Sequence, residues 1–180
     1  MASASTSVRR SVSAPVTSRR HTISVLVENK FNALSRIAGL FSAKGYNIES
    51  LSVGPTEDET VSRMTIVTEG DDPIIEQITK QLHKLIDTIK VIDLTFESFV
   101  ERELVLLKIQ TTAATRPEIM QIAEIFRAKV VDISPRTLTL EATGSRQKVD
   151  AIIKMLKPFV IKELARTGQV ALKREFHGEV

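Results

Sequence analysis

The chain has 180 residues, 42% hydrophobic and 26% charged, which gives room for two small domains with real cores and is ordinary for a folded protein. It has no cysteine, so disulfides, thiolate metal sites and cysteine nucleophiles are excluded, and no apolar run approaches the roughly 20 residues of a membrane helix. The net charge of +3 hints at nucleic acid only until it is located: residues 1–20 hold four arginines and no acid, leaving 21 basic against 22 acidic residues elsewhere.

Segment 1–20 is rich in Ser and Arg and nearly devoid of bulky apolar residues. It cannot bury enough surface to offset chain entropy, so a disordered basic tail is expected. Organelle transit peptides share this composition, although this one is short; the expected location is the bacterial cytoplasm, with a plastid as the alternative.

A first unit is expected over residues 21–98. His21 to Glu28 reads as a strand with Ile23, Val25 and Val27 on one face. A helix follows with its apolar stripe at Leu34, Ile37, Ala38 and Phe41, spaced i, i+3, i+4, i+7. Asn47–Val53 and Val61–Thr68 read as a strand pair joined across Gly54 and Pro55. A second helix starts after Asp71 or Asp72 with Pro73 in its first turn, and its stripe is Ile75, Ile78, Leu82 and Leu85. Thr88–Phe96 closes the unit as a strand.

A second unit over residues 99–180 repeats the first. The run from Ile37 to Lys44 recurs 85 residues later from Ile122 to Lys129, and Asn47-Ile48 keeps register with Asp132-Ile133. Val105, Leu107 and Ile109 form the first strand, and Ile119, Ile122, Ala123 and Phe126 the helix stripe. Lys129–Ile133 and Thr137–Thr143 make a shortened hairpin around Ser134-Pro135-Arg136. Ser145 caps a helix with Val149, Ile152, Ile153 and Leu156 inward. Within Val160–Arg174, Gly168 divides either two short strands or a short helix and a strand.

Each unit is thus α+β, a ferredoxin-like βαββαβ with two helices on one face of an antiparallel sheet. The other sheet face is expected to be apolar, because Leu51, Val53, Met64, Ile66 and their alternates cannot all point one way. An uncovered apolar face calls for a second sheet or a side-by-side dimer.

No catalytic constellation emerges. His21 opens a strand, His83 lies in an amphipathic helix and His177 near the end, with no metal-ligand spacing, so all three are expected to be solvated and no metal is expected. There is no G-x-S-x-G, phosphate-binding glycine run or zinc pattern. Binding RNA on such a sheet needs aromatic residues on central strands. None is expected there, since Phe41 and Phe126 belong to helix stripes and Tyr46 to a turn, so no nucleic-acid partner is expected.

What remains is the strand–helix turn from Glu28 to Leu34. A helix N-terminus offers free N–H groups and partial positive charge to a carboxylate. Asn29 both donates and accepts, and Asn32 tolerates a left-handed backbone. On physics alone an ordinary capped turn accounts for these residues more simply. The corresponding turn of the second unit, Thr112 to Pro117, lacks Asn, so any ligand site belongs to the first.

Several runs resemble the small regulatory subunit family of acetohydroxyacid (acetolactate) synthase. They are Glu28-Asn29, Ala33-Leu34-Ser35-Arg36, Gly39-Leu40-Phe41, Gly45 to Leu51, Ser62 to Ile66, Gln77 to Leu85, Arg102-Glu103 and Arg166-Thr167-Gly168. The likeness covers residues 21–175. It implies an N-terminal ACT domain and a C-terminal ACT-like domain, a homodimer through the ACT sheets, and valine bound at the interface. By position, Asn29, Asn32, Ala33 and Leu34 of one protomer and Asn47 and Ile48 of the other would hold the ligand.

The resemblance also implies a large catalytic subunit as partner, activated by this chain and made sensitive to feedback inhibition by valine in branched-chain amino acid biosynthesis. Thiamine diphosphate, Mg and FAD would belong to that partner, and this chain would be non-catalytic and hold no cofactor. The family usually has Gly where this chain has Asn32, so the fold is expected to survive while valine affinity is weakened or ligand preference altered. Two other readings are a stand-alone ACT-type amino-acid sensor acting on another enzyme or a transporter, and an RNA-binding module using the Arg-rich tail.

Overall fold

The computed structural model describes residues 18–175. The first unit runs β1 (Arg19–Glu28), α1 (Ala33–Ala43), β2 (Ile48–Pro55), β3 (Val61–Gly70), α2 (Asp72–His83) and β4 (Thr88–Asp93). The second runs β5 (Phe99–Gln110), α3 (Arg116–Ile125), β6 (Lys129–Ile133), β7 (Thr137–Gly144), α4 (Arg146–Leu156), β8 (Ile161–Arg166) and β9 (Val170–Lys173). The strand orders β2-β3-β1-β4 and β6-β7-β5-β8 are the same antiparallel ferredoxin-like topology twice, as the repeat predicts.

Each unit has its own core. Ile23, Val25, Val27, Met64 and Ile66 pack under Ile37, Phe41, Ile75, Ile78 and Leu82 in the first. Val105, Leu107, Ile109, Leu138 and Leu140 pack under Ile119, Ile122, Val149, Ile152 and Leu156 in the second. At about 1.5–3 kcal/mol for each large apolar side chain buried, these cores dominate the stability of the fold. The helix starts follow their sequence signals: Asp71 accepts from the Ile74 N–H at 2.9 Å and Ser145 from the Lys148 N–H at 3.4 Å.

Several expectations are corrected. The strand β1 begins at Arg19, so Arg19 and Arg20 belong to the sheet and not to a disordered tail, held by Asp72 at 2.6 Å and Glu49 at 2.7 Å. Residues 1–17 of the expected tail lie outside the described residues, as does His177. His21 is not solvated: it is 0% exposed. In a strand residues two apart share a face, so His21 follows Ile23 and Val25 inward. Its Nδ1 lies 3.2 Å from Asp93 Oδ2.

The expected stripe of α1 is also shifted. Ala33, Ile37 and Phe41 are its buried residues, while Leu34 is 45% exposed and Ala38 is exposed. The helix is rolled relative to α3, where Ile119, Ile122 and Ala123 are buried as expected. Where a strand was read over Thr88–Phe96, β4 stops at Asp93, whose carboxylate accepts from the Thr95 N–H at 2.9 Å and starts a 3₁₀ turn. Phe99 is a strand aromatic, but it pairs with Lys173 on β9, outside the four-stranded ladder.

The open face of the first sheet differs most from expectation. Leu51 pairs with Ile66 and Val53 with Met64, and Ile66 and Met64 pair in turn with Ile23 and Val25. Directly opposed residues share a face, so all four residues do point one way, toward the helices. The alternates are largely hydroxyls: Ser52, Thr65 and Ser24 lie across one row, and Ser50, Val67 and Thr22 across the next.

That hydroxyl face receives the end of the second unit. The Ser52 hydroxyl donates to the Thr167 carbonyl at 3.0 Å, the Gln169 N–H donates to Ser50 Oγ at 3.1 Å, and the Ala171 N–H donates to Thr65 Oγ1 at 3.3 Å. Residues 167, 169 and 171 alternate, so one edge of an extended segment meets a row of side-chain hydroxyls. Of the two alternatives for Val160–Arg174, the paired strands β8 and β9 are present. Glycine between them is required: Gly168 has φ +79°, and a Cβ there would lie 2.6 Å from Ser50 Oγ. Beside this seam runs a groove of about 490 Å³ between Ser52, Gly54 and Thr65 on one side and Val100, Val170 and Leu172 on the other.

Candidate functional site

The turn between β1 and α1 is fixed from three directions. The Asn29 N–H donates to the Thr60 carbonyl at 2.7 Å, and its side-chain Nδ2 donates to the Glu59 carbonyl at 2.9 Å. On the other flank the Glu28 N–H donates to the Asp87 carbonyl at 2.8 Å, and Arg36 pairs with the Asp87 carboxylate at 2.7 Å. Lys30 folds back onto Glu28 at 2.6 Å, which holds its ammonium pKa above the ordinary value.

Asn32 adopts φ 73°, ψ −4°, the left-handed backbone its residue type tolerates. This geometry starts α1 abruptly. The Asn32 carbonyl accepts from the Arg36 N–H at 2.9 Å, while its side chain makes no capping hydrogen bond. The Ala33 N–H turns back to Lys30 at 3.4 Å, and the N–H groups of Leu34 and Ser35 have no acceptor among the described residues. Free N–H groups at the positive end of a helix dipole suit a carboxylate. Asn29 Oδ1 accepts no hydrogen bond from the described residues, which leaves it for a donor such as an ammonium.

The recess outside this turn, about 690 Å³ and lined by Asn29, Lys30 and Phe31, is open on one side. Phe31 is 98% exposed and stands next to the half-exposed Leu34. Among the described residues nothing covers this apolar pair.

Asn47 and Ile48 sit elsewhere. They follow the C-terminal end of α1, whose 11 residues span roughly 16 Å, so one chain does not bring them to the β1–α1 turn. The Asn47 carbonyl accepts from the Thr68 hydroxyl at 2.6 Å, its side chain is exposed, and its amide has no partner among the described residues. Ile48 is half-buried against the first core. The sequence-derived residues therefore form two patches at opposite ends of one helix.

A charged seam was missed from sequence. The register of β2 on β3 jumps from Ile48 to Ser50, so Glu49 is an extra, bulged residue. A bulge re-aims its side chain. Here Glu49 reaches both Arg20 at 2.7 Å and Arg146, the first residue of α4, at 2.5 Å. Arg146 and Arg166 share Asp150 at 3.3 and 3.0 Å, and Arg166 closes a two-pronged pair with the buried Glu103 at 2.7 Å. The hydrogen bond from Arg146 is the main influence holding the Glu49 carboxyl below its ordinary pKa, with burial opposing it and Arg20 adding to it. Glu103 does the same for Arg166 in the other direction, raising it. The alternating hydroxyls at 50, 52 and 65 and the left-handed Gly168 were the available signals.

Among the described residues no group of three or more His, Asp or Glu could hold a metal, and no helix is long and apolar enough to cross a membrane.

Comparison with known proteins agrees with this architecture. A family model described as an AHAS small subunit-like ACT domain matches residues 23–90, and one described as the small subunit of acetolactate synthase matches 102–175. The acetolactate synthase small subunit of Aquifex aeolicus is 56% identical over 158 residues, covering 87% of this chain and 82% of the relative. A probable acetolactate synthase small subunit of Archaeoglobus fulgidus is 54% identical over 155 residues, covering 86% and 97%. The crystal structure of the Thermotoga maritima acetolactate synthase small subunit superposes with a TM-score of 0.79 at 42% identity, covering 87% of this chain and 98% of that one. The chain belongs to the acetolactate synthase small subunit family.

Proposed function

We propose that this chain is the regulatory subunit of an acetolactate synthase: it raises the activity of a large catalytic subunit and makes that activity sensitive to valine. The thiamine diphosphate, Mg and FAD of the reaction belong to the catalytic subunit. The prokaryotic relatives favour a cytoplasmic setting over a plastid.

The observation that carries the ligand reading is the split site. Free N–H groups at Leu34 and Ser35 suit a carboxylate, and Asn29 Oδ1 suits an ammonium, but one side of the recess is open. Asn47, with a free amide, lies at the far end of α1 in the same chain. Two copies related by a two-fold axis would set the turn of one beside Asn47 and Ile48 of the other. Such a dimer would also cover Phe31 and Leu34, which are exposed among the described residues. A side chain the size of valine would then rest against apolar surface while its charged backbone is read by the turn.

Regulation on this reading is linkage: valine shifts the holoenzyme by its differential affinity for two arrangements of the dimer. The direct test is isothermal calorimetry of the full chain with valine, leucine and isoleucine, paired with the Asn47→Ala variant. Binding abolished in Asn47→Ala supports a shared site. Binding unchanged by that substitution removes Asn47 from it.

A further inference from the structure

We propose that β2 is the element that couples the amino-acid site to the second unit, with Glu49 as its positioning residue; this rests on the ligand site proposed above. Three observations converge on this one edge strand, which starts beside the proposed ligand residues. Ile48, its first residue, and Asn47 just before it are the residues proposed to meet a ligand held by the partner. The very next residue is the bulged Glu49, ion-paired to Arg146 at the N-terminus of α4. Ser50 and Ser52 then hold the backbone of Gln169 and Thr167. Gly168 presses so closely on this strand that a Cβ would meet Ser50 Oγ at 2.6 Å and Ser52 Oγ at 3.2 Å.

The energetics favour movement at this joint over movement within either unit. Each unit is locked by a dense apolar core, whereas these seam contacts are hydrogen bonds and part-exposed ion pairs. Such contacts break and re-form with far less loss than packed apolar groups do. Within the chain β2 shares a backbone ladder with β3 alone.

A ligand that draws Asn47 and Ile48 toward a partner therefore pulls on Glu49, Ser50 and Ser52 within the same strand. Through them it changes the seating of the 167–171 segment and of α4. Coupling of this kind is reciprocal, so disturbing the seam from the second unit must alter the start of β2.

The experiment is hydrogen exchange followed by mass spectrometry on the full chain, with valine binding measured by calorimetry in parallel. Without ligand, Arg146→Ala and Gly168→Val are each expected to raise exchange at least about fivefold over residues 47–53, the low end of ordinary coupling, while the distant β6 and α3 are unchanged. Faster exchange confined to residues 167–171, with 47–53 unaltered, overturns the proposal. With saturating valine, the wild-type chain is expected to slow exchange over 167–171 at least about fivefold. Arg146→Ala is expected to lose this effect and, by the same reciprocity, to weaken valine binding toward a comparable factor while β6 and α3 exchange as in the wild-type chain, a pattern that simple destabilisation does not give. Wild-type binding of valine with no change at 167–171 also overturns the proposal. If the wild-type chain binds no valine, the ligand reading fails, and the ligand-free arm still decides whether β2 and the seam are coupled.

Discussion

Replacing Gly168 by alanine tests the seam geometry with one methyl group. The added Cβ would sit 2.6 Å from Ser50 Oγ, 3.2 Å from Ser52 Oγ and 3.5 Å from the Leu51 carbonyl, on a backbone at φ +79°. The left-handed backbone alone costs a Cβ-bearing residue about 1 kcal/mol. Relieving the contacts turns Ser50 and Ser52 away and gives up hydrogen bonds to Gln169 and Thr167, about 1 kcal/mol each. The expected loss is therefore about 2–3 kcal/mol. Urea unfolding at one fixed chain concentration measures it. In a Ser50→Ala background the 2.6 Å contact is absent, so the same substitution is expected to cost about 1 kcal/mol less. Equal costs in the two backgrounds, within about 0.5 kcal/mol, would refute the contact argument.

Three further outcomes are expected. Asn32→Gly keeps the left-handed start of α1, so stability is expected to change by less than about 1 kcal/mol, while removal of the Cβ and amide tightens valine binding in calorimetry; unchanged affinity would clear Asn32 of obstructing the site. Asp71→Ala removes the cap on the Ile74 N–H and is expected to cost about 1 kcal/mol in urea unfolding. Glu49 has a folded pKa below its ordinary value, so its stabilising contribution is complete above that value, near 4.5, and disappears as pH falls through the folded value. An acid titration of stability should thus lose about 1 kcal/mol in that window, because the pair is about a third exposed, and Glu49→Gln should remove that part of the slope.

The fold was legible because apolar periodicity reports burial inside a unit. The repeat of Ile37–Lys44 at Ile122–Lys129, the two helix stripes after Asp71 and Ser145, and the alternation along β1 and β5 each encode one face against one core. The seam was not legible for the same reason. Ser50, Ser52 and Thr65 alternate as a solvent-facing strand does, and hydroxyls that bond water and hydroxyls that bond a distant backbone give the same pattern. His21 was misplaced because its burial depends on where β1 begins, and strand ends carry the weakest sequence signal. Leu34 was misplaced because the stripes starting at 33 and at 34 differ by a small roll of the helix, and it is Ala33, Ile37 and Phe41 that turn inward. Of the candidate site, the left-handed Asn32 and the strand–helix turn were readable from residue types.

The central claim, that this chain regulates acetolactate synthesis, is tested most directly by reconstitution with the cognate large catalytic subunit, following acetolactate formation from pyruvate with and without valine. The expected result is a higher turnover in the presence of this chain and a loss of that activity on adding valine. Turnover that is the same with and without the chain, under conditions where the two subunits are shown to associate, would contradict it.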